Sequence, residues 1–123
     1  MVIARAVLTA ALAMGASSAH AEGDLMGAWQ RGDGIARVRV APCGKVICMT
    51  NTYIRPDITD EKVGERLEFD VKSSGADLAG TVLDPKTGKS YSATIAVNGD
   101  RMTTRGCILG GVICKSTEWT RIR

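Results

Sequence analysis

Apolar and charged residues alternate strictly in the stretch Leu67-Glu68-Phe69-Asp70-Val71-Lys72. Successive side chains of a β-strand point to opposite faces, so this period of two predicts a strand with one buried and one solvent-facing side. The same alternation runs through residues 36–41 and 91–97, and no window of helical length after residue 21 has a period near 3.6. The sequence therefore predicts an all-β fold.

Turn-forming sequences separate the alternating runs, with Asp33-Gly34, Asp84-Pro85 and Asn98-Gly99 as the clearest examples. Short strands joined by tight turns are typical of an antiparallel meander, and an eight-stranded meander removes its exposed edges by closing on itself. We therefore predict a small antiparallel up-and-down barrel. Its expected strands, about eight in number, cover residues 25–31, 35–42, 45–51, 65–72, 77–84, 90–97, 101–107 and 112–122.

The first 21 residues differ in composition from the rest of the chain. They hold 15 apolar residues, one charged residue, Arg5, and the only histidine, His20. An apolar run over residues 6–16 that ends in Ala19-His20-Ala21 is typical of a secretory signal peptide, and it is about half the length that spans a bilayer. We expect cleavage after Ala21. Residues 22–123 would then form one barrel domain, without a membrane span, in a periplasmic or secreted protein.

Four cysteines, Cys43, Cys48, Cys107 and Cys114, follow the expected signal peptide. An even number of cysteines in an exported chain indicates disulfides, and four allow three connectivities. The pairs Cys43–Cys48 and Cys107–Cys114 are favoured because each brackets a turn. The spacings do not match a zinc site, residues 22–123 contain no histidine, and we expect no metal.

Charge and aromatic content argue against two other classes of function. Residues 22–123 carry 15 basic and 13 acidic residues, a net charge of +2, and only five aromatic residues. Proteins that bind single-stranded nucleic acid combine a strongly basic groove with aromatic platforms, so we expect no nucleic-acid partner. The clustered carboxylates of Asp57, Asp60 and Glu61 lie in a polar connection. We expect no catalytic residues, no cofactor and no enzymatic activity.

The first predicted strand opens with Gly27-Ala28-Trp29, which resembles the Gly-x-Trp motif of lipocalin-like barrels. In that family the Trp closes one end of the barrel, and an Arg of the last strand lies across its ring. The resemblance implies that Trp29, Trp119 and Arg121 close the barrel, with a favourable cation–π contact between guanidinium and indole.

A longer series of motifs resembles a bacterial family, domain of unknown function 2147. The resemblance covers about Leu25 to Arg121 and implies a secreted, lipocalin/calycin-like barrel without established catalytic residues. Within it, Arg105-Gly106 predicts a close backbone approach beside Cys107. The motifs are Asp33-Gly34, Val38-Arg39-Val40, Pro42-Cys43-Gly44, Cys48, the run from Asp84 to Ala93, Arg105-Gly106-Cys107 and Thr117-Glu118-Trp119-Thr120-Arg121.

Two functional hypotheses follow. The first is non-catalytic binding of a small, largely apolar ligand inside the barrel. The second is an envelope structural or interaction module with a side-chain-filled barrel, which binds a protein or cell-wall partner through its surface. The polar connection Thr52–Gly64, expected at a barrel mouth, would then carry the contacts together with Arg37 and Arg39. The side chains expected to line either a core or a ligand pocket are Val38, Val40, Leu67, Phe69, Val71, Tyr91 and Ile95.

Overall fold

The computed structural model describes residues 23–123, and the expected signal peptide lies outside the described residues. Eight antiparallel strands form a closed barrel in which each strand pairs with its neighbours in the chain and the last pairs with the first. The predicted small, all-β, up-and-down barrel is confirmed. The strands are β1 (Gly27–Arg31), β2 (Ala36–Cys43), β3 (Val46–Ile54), β4 (Arg66–Ser74), β5 (Asp77–Asp84), β6 (Lys89–Asn98), β7 (Arg101–Ile108) and β8 (Ile113–Arg121).

The antiparallel order sorts the connections between two ends of the barrel. The β1–β2, β3–β4, β5–β6 and β7–β8 connections lie at one end, which we call the upper end. The other three connections and the start of β1 lie at the lower end. Among residues 23–123, helical structure is limited to residues 23–25 and a 3₁₀ turn over Leu109–Gly111. Within residues 23–123 no helix is long and apolar enough to cross a membrane.

The structure moves the start of β1 relative to the sequence prediction. The strand begins at Gly27 and not near residue 25, because residues 23–25 form the helical turn instead. Leu25 of that turn is fully buried and belongs to the core. Leu25 therefore contributes to the core from a helical turn and not from a strand.

The structure also shortens the long connection after β3. That strand continues to Ile54, because β2 and β3 resume pairing beyond a register shift between Arg37 and Val38. The prediction that the connection covers Thr52–Gly64 is wrong at its first residues. The connection consists of residues 55–65 and lies at the upper end of the barrel.

One cluster of buried hydrophobic side chains fills the barrel, and all eight strands contribute to it. Strand alternation carries every second side chain inward, as in β2, where Ala36, Val38 and Val40 are buried while Arg37 and Arg39 are exposed. Removal of this apolar surface from water is the dominant favourable contribution to folding. The core consists of Leu25, Trp29, Val38, Val40, Ile47, Met49, Phe69, Val71, Leu78, Val82, Ala93, Ile95, Met102 and Trp119.

Gly80 allows β4 and β5 to approach one another closely. It pairs with Val71, and a Cβ atom at this position would overlap the carbonyl oxygen of Asp70 and lie 3.0 Å from the Cα of Val71. The predicted close approach at Gly106 is wrong, because the nearest atom to a Cβ there would be the Ser92 carbonyl oxygen at 3.9 Å.

These two glycines provide a matched pair of substitutions. We expect Gly80→Ala to lower the free energy of unfolding by about 1–3 kcal/mol, because backbone atoms must move to accept the methyl group. Gly106→Ala should change it by less than about 0.5 kcal/mol. Urea denaturation of both variants measures the difference, and equal stabilities would contradict the assignment of the close approach to Gly80.

Candidate functional site

The lower end of the barrel is closed around Trp29. Its indole is fully buried, and Nε1 donates a hydrogen bond of 2.9 Å to the carbonyl oxygen of Leu25. The Arg121 guanidinium carbon lies 4.3 Å from the centroid of the Trp29 ring. Arg121 also donates hydrogen bonds to the carbonyl oxygens of Met26, at 3.0 Å, and Asp24. The structure thus places Trp29 and Arg121 in the closing contact that the lipocalin resemblance implied.

Trp119 does not take part in this contact. Trp119 on β8 is directly opposite Arg31 on β1, whereas Arg121 is directly opposite Trp29. Trp119 is therefore two residues nearer to the upper end than the contact between Trp29 and Arg121. Its indole is buried in the core and donates a hydrogen bond of 3.0 Å to the Thr104 hydroxyl. Trp119 is therefore a core residue with a satisfied polar group, and the cation–π contact of Arg121 is with Trp29.

Substitution of Arg121 tests the closing contact. We expect Arg121→Ala to lower the free energy of unfolding by about 2 kcal/mol, since it removes the cation–π contact and the donors to two carbonyl oxygens. Arg123 is the matched control, because its side chain is exposed and contacts only Asp100 in the described hydrogen-bond network. Arg123→Ala should leave urea unfolding nearly unchanged. A similar loss in both variants would show that the stability depends on positive charge at the lower end and not on the contact between Arg121 and Trp29.

A bidentate ion pair holds the β3–β4 connection at the upper end. Arg31 continues the inward-facing set of β1 beyond Trp29, and its two terminal nitrogens bind the Glu61 carboxylate at 2.8 and 2.9 Å. Its Nε contacts Asp33 of the β1–β2 connection at 3.0 Å. The connection is also held at its base, where the Asn51 side chain donates to the carbonyl oxygen of Lys62.

This ion pair changes the pKa of both partners. The hydrogen bond to Glu61 raises the pKa of Arg31 against the opposing effect of burial. The hydrogen bond from Arg31 lowers the pKa of Glu61 below its ordinary value of 4.5. The pKa of Glu61 is lower in the folded state, so the stabilisation is complete above about pH 4.5 and is lost as pH falls through the folded pKa.

Glu61→Gln should therefore remove a pH-dependent part of the stability. We expect a loss of about 1 kcal/mol at neutral pH, because the pair is bidentate but partly exposed. The loss should shrink as pH falls from 4.5 towards the lowered folded-state pKa of Glu61, where the wild-type carboxylate becomes protonated. Asp57→Asn, in a fully exposed pair with Arg55 in the same connection, is the control. Parallel pH profiles of unfolding for wild type and Glu61→Gln would contradict the role of this pair.

The seven residues predicted to line a core or a pocket all belong to the core or pack against it. Val38, Val40, Phe69, Val71 and Ile95 are buried in the central cluster. Leu67 and Tyr91 are partly buried and pack against the same cluster. The structure therefore brings all seven together, in the role of packing residues.

The two disulfides are Cys43–Cys48 and Cys107–Cys114, which is the pairing that the two turns favoured. Each connects the strands of one hairpin. Cys43–Cys48 flanks the β2–β3 turn at the lower end, and Cys107–Cys114 flanks the β7–β8 connection at the upper end.

An open groove of about 450 Å³ lies on the outer wall of β2, β3 and β4. Arg39 on β2 is directly opposite Thr50 on β3, which is directly opposite Arg66 on β4. We call this site the arginine groove; beside that row it is lined by Ala41, Pro42, Cys43, Cys48 and Thr52. The groove therefore combines two guanidinium groups with a partly apolar floor.

The two arginines of the groove differ in their partners. Arg66 forms an ion pair of 2.8 Å with Glu68 on its own strand. Arg39 is exposed, and within residues 23–123 it forms no ion pair. Arg37, which the sequence grouped with Arg39, instead lies over the Tyr53 ring at 5.1 Å and donates to Gln30. Of the two groove arginines, Arg39 is thus the one available to a partner.

Sequence reasoning identified Arg39 but missed Arg66 and the pairing of Arg31 with Glu61. Arg66 joins the groove only through the register of β3 with β4, which depends on the long connection between them. The sequence could have shown that Arg31 faces inward, because it lies two residues after Trp29 on the same strand. The identity of its partner could not be obtained in this way.

Fold and site together define a small closed up-and-down β-barrel with a packed interior, a sealed lower end and a charged outer groove. Residues 27–121 match the family described as uncharacterised protein conserved in bacteria, DUF2147. The chain belongs to this family, as the sequence motifs predicted. It matches no curated protein and no solved structure.

Proposed function

We propose that the protein is a non-catalytic binding module of the bacterial envelope, which uses the barrel as a rigid support and binds its partner through the outer wall. The observation that carries this proposal is the single core cluster, to which every strand contributes. A small-molecule site of the lipocalin kind requires an internal space of about 300–1,000 Å³. Here the inward side chains that would surround such a space pack against one another.

Two surface depressions support the same interpretation, because both lie outside the core cluster. One is the arginine groove, and the other lies at the lower end beside Asp24, Asp100 and Arg121. We therefore favour surface binding, the second hypothesis, over the first hypothesis of an apolar ligand enclosed in the barrel.

The arginine groove favours a partner that carries a carboxylate beside an apolar group. Guanidinium groups bind carboxylates through paired, charge-assisted hydrogen bonds. The Thr50 hydroxyl between the two arginines adds a donor, and Ala41 and Pro42 offer an apolar surface. Peptides with free carboxylates, whether from a protein or from the cell wall, have this chemistry. Guanidinium and threonine hydroxyl groups do not change their protonation state near neutral pH, which supports binding without acid–base catalysis.

Two features support a periplasmic or secreted location for this module. Disulfides persist in oxidising compartments outside the cytosol, and this small barrel contains two. The composition of residues 1–21 is typical of a secretory signal peptide. Both are consistent with a partner in the cell envelope.

Titration with a peptide tests the groove. The probe is a soluble cell-wall stem peptide with free carboxylates, compared with the same peptide in amidated form. We expect the free form to shift backbone NMR resonances around Arg39, Thr50 and Arg66, and Arg39→Ala to weaken binding by about fivefold. Arg101 on β7 is the matched control, because it is also exposed and unpaired within residues 23–123.

Two outcomes would overturn the proposal. One is equal binding of the free and amidated peptides, or equal weakening by Arg39→Ala and Arg101→Ala. The other is a small molecule retained by the protein from its own host in native mass spectrometry, with contacts to Tyr91 or Leu67 in NMR. That second result would establish binding at the barrel interior instead.

A further inference from the structure

The β7–β8 connection presents a concentration of exposed apolar side chains. We call residues 108–113, Ile-Leu-Gly-Gly-Val-Ile, the β7–β8 tip. Its Leu109, Val112 and Ile113 are 70%, 80% and 53% exposed. Ile108 is exposed as well, so the tip holds four of the six exposed large hydrophobic residues identified within residues 23–123. Apolar side chains gathered on a soluble surface indicate an interaction site.

The backbone of the tip gives a second, independent indication. Leu109 has a φ of 54°, and it is the one non-glycine residue with positive φ within residues 23–123. The left-handed region is unfavourable for leucine and suits glycine or asparagine. Because the side chain is also largely exposed, neither local conformation nor core packing explains a leucine at this position.

The Cys107–Cys114 disulfide holds the tip in one shape. The two cysteines are directly opposite one another on β7 and β8, immediately before and after the tip. The Val112 N–H donates to the Leu109 carbonyl oxygen, which closes the turn. The apolar side chains are therefore presented by a constrained convex loop, which reduces the conformational entropy lost on binding.

Cationic side chains lie behind the tip. Arg105 on β7 and Lys115 on β8 are exposed residues on the barrel side of the disulfide, and Lys89 begins the neighbouring strand β6. Within residues 23–123 none of these three forms an ion pair. Two acidic groups lie near these cations. Glu61 interacts electrostatically with Lys115, but its carboxylate forms an ion pair with Arg31. Asp84 on β5 is directly opposite Lys89 on β6.

We propose that the β7–β8 tip docks on a membrane surface that contains anionic phospholipid. The order of the groups fits the layers of such a surface: the four apolar side chains reach the boundary between headgroups and acyl chains, and the cations behind them remain at the depth of the phosphates. The tip is a convex loop, which suits a deformable lipid interface. The arginine groove lies on β2, β3 and β4, and this proposal uses none of its residues.

Vesicle co-sedimentation tests the proposal, with the protein purified from its own host so that any processing of the chain has taken place. We expect binding to phosphatidylcholine vesicles that contain about 30 mol% phosphatidylglycerol, and weaker binding to pure phosphatidylcholine and at high salt. The double variant Leu109→Asn, Val112→Ser should reduce the partition coefficient by at least about tenfold. Asparagine tolerates positive φ, so this variant should unfold at the same urea concentration as wild type or a higher one.

Two further variants separate the contribution of the apolar tip from that of the cations behind it. Tyr53→Asn removes an exposed apolar side chain from the β3 wall and should leave vesicle binding unchanged. Lys115→Glu with Arg105→Glu should weaken binding to the anionic vesicles alone. Binding unaffected by the tip variant would overturn the proposal. So would concentration-dependent self-association that the same variant abolishes, because the tip would then be an interface between two copies of this chain.

Discussion

The pairing of β1 with β8 is the constraint on which the barrel depends, because it removes the two edges that an eight-stranded sheet would otherwise expose. This seam is short: three residues of β1, Trp29, Gln30 and Arg31, have direct partners on β8. The side chains along it compensate for its length. Trp29 and Arg121 form the contact that closes the lower end, and Arg31 ties the upper end to Glu61. The same few residues therefore close the sheet laterally and connect it to segments beyond both of its ends.

Local pattern was sufficient to predict the fold. Alternating runs and turn residues located the eight strands to within a few residues, because both signals are local in the sequence. The contact between Trp29 and Arg121, which are distant in the sequence, was implied by the family resemblance. Features that depend on register between strands could not be obtained. The glycine at a close approach is Gly80 and not Gly106, since the crowding comes from Asp70 on the adjacent strand. The long β3–β4 connection likewise concealed the alignment of Arg66 with Thr50.

Because the interior of the barrel is packed with side chains, the outer surface is the part of the molecule proposed to bind a partner. The side chains that the sequence marked as either core or pocket are used for packing, and the proposed binding groups lie on the wall and at the upper tip. The arginine groove and the β7–β8 tip each adjoin a disulfide, Cys43–Cys48 in one case and Cys107–Cys114 in the other. The two proposed surfaces thus lie beside the hairpins that the disulfides cross-link.

The order of strand pairing has a consequence for how the chain folds in time. Seven of the eight pairings join strands that are consecutive in the chain, and both disulfides lie inside single hairpins, with sequence separations of five and seven residues. These contacts close short loops, so each can form as soon as its two strands are present and without the rest of the barrel. The seam between β1 and β8 joins residues about 90 positions apart and incurs the largest loop-closure entropy. Cross-linking of the hairpins is therefore expected to precede closure, and the pairing of β8 with β1 completes the barrel.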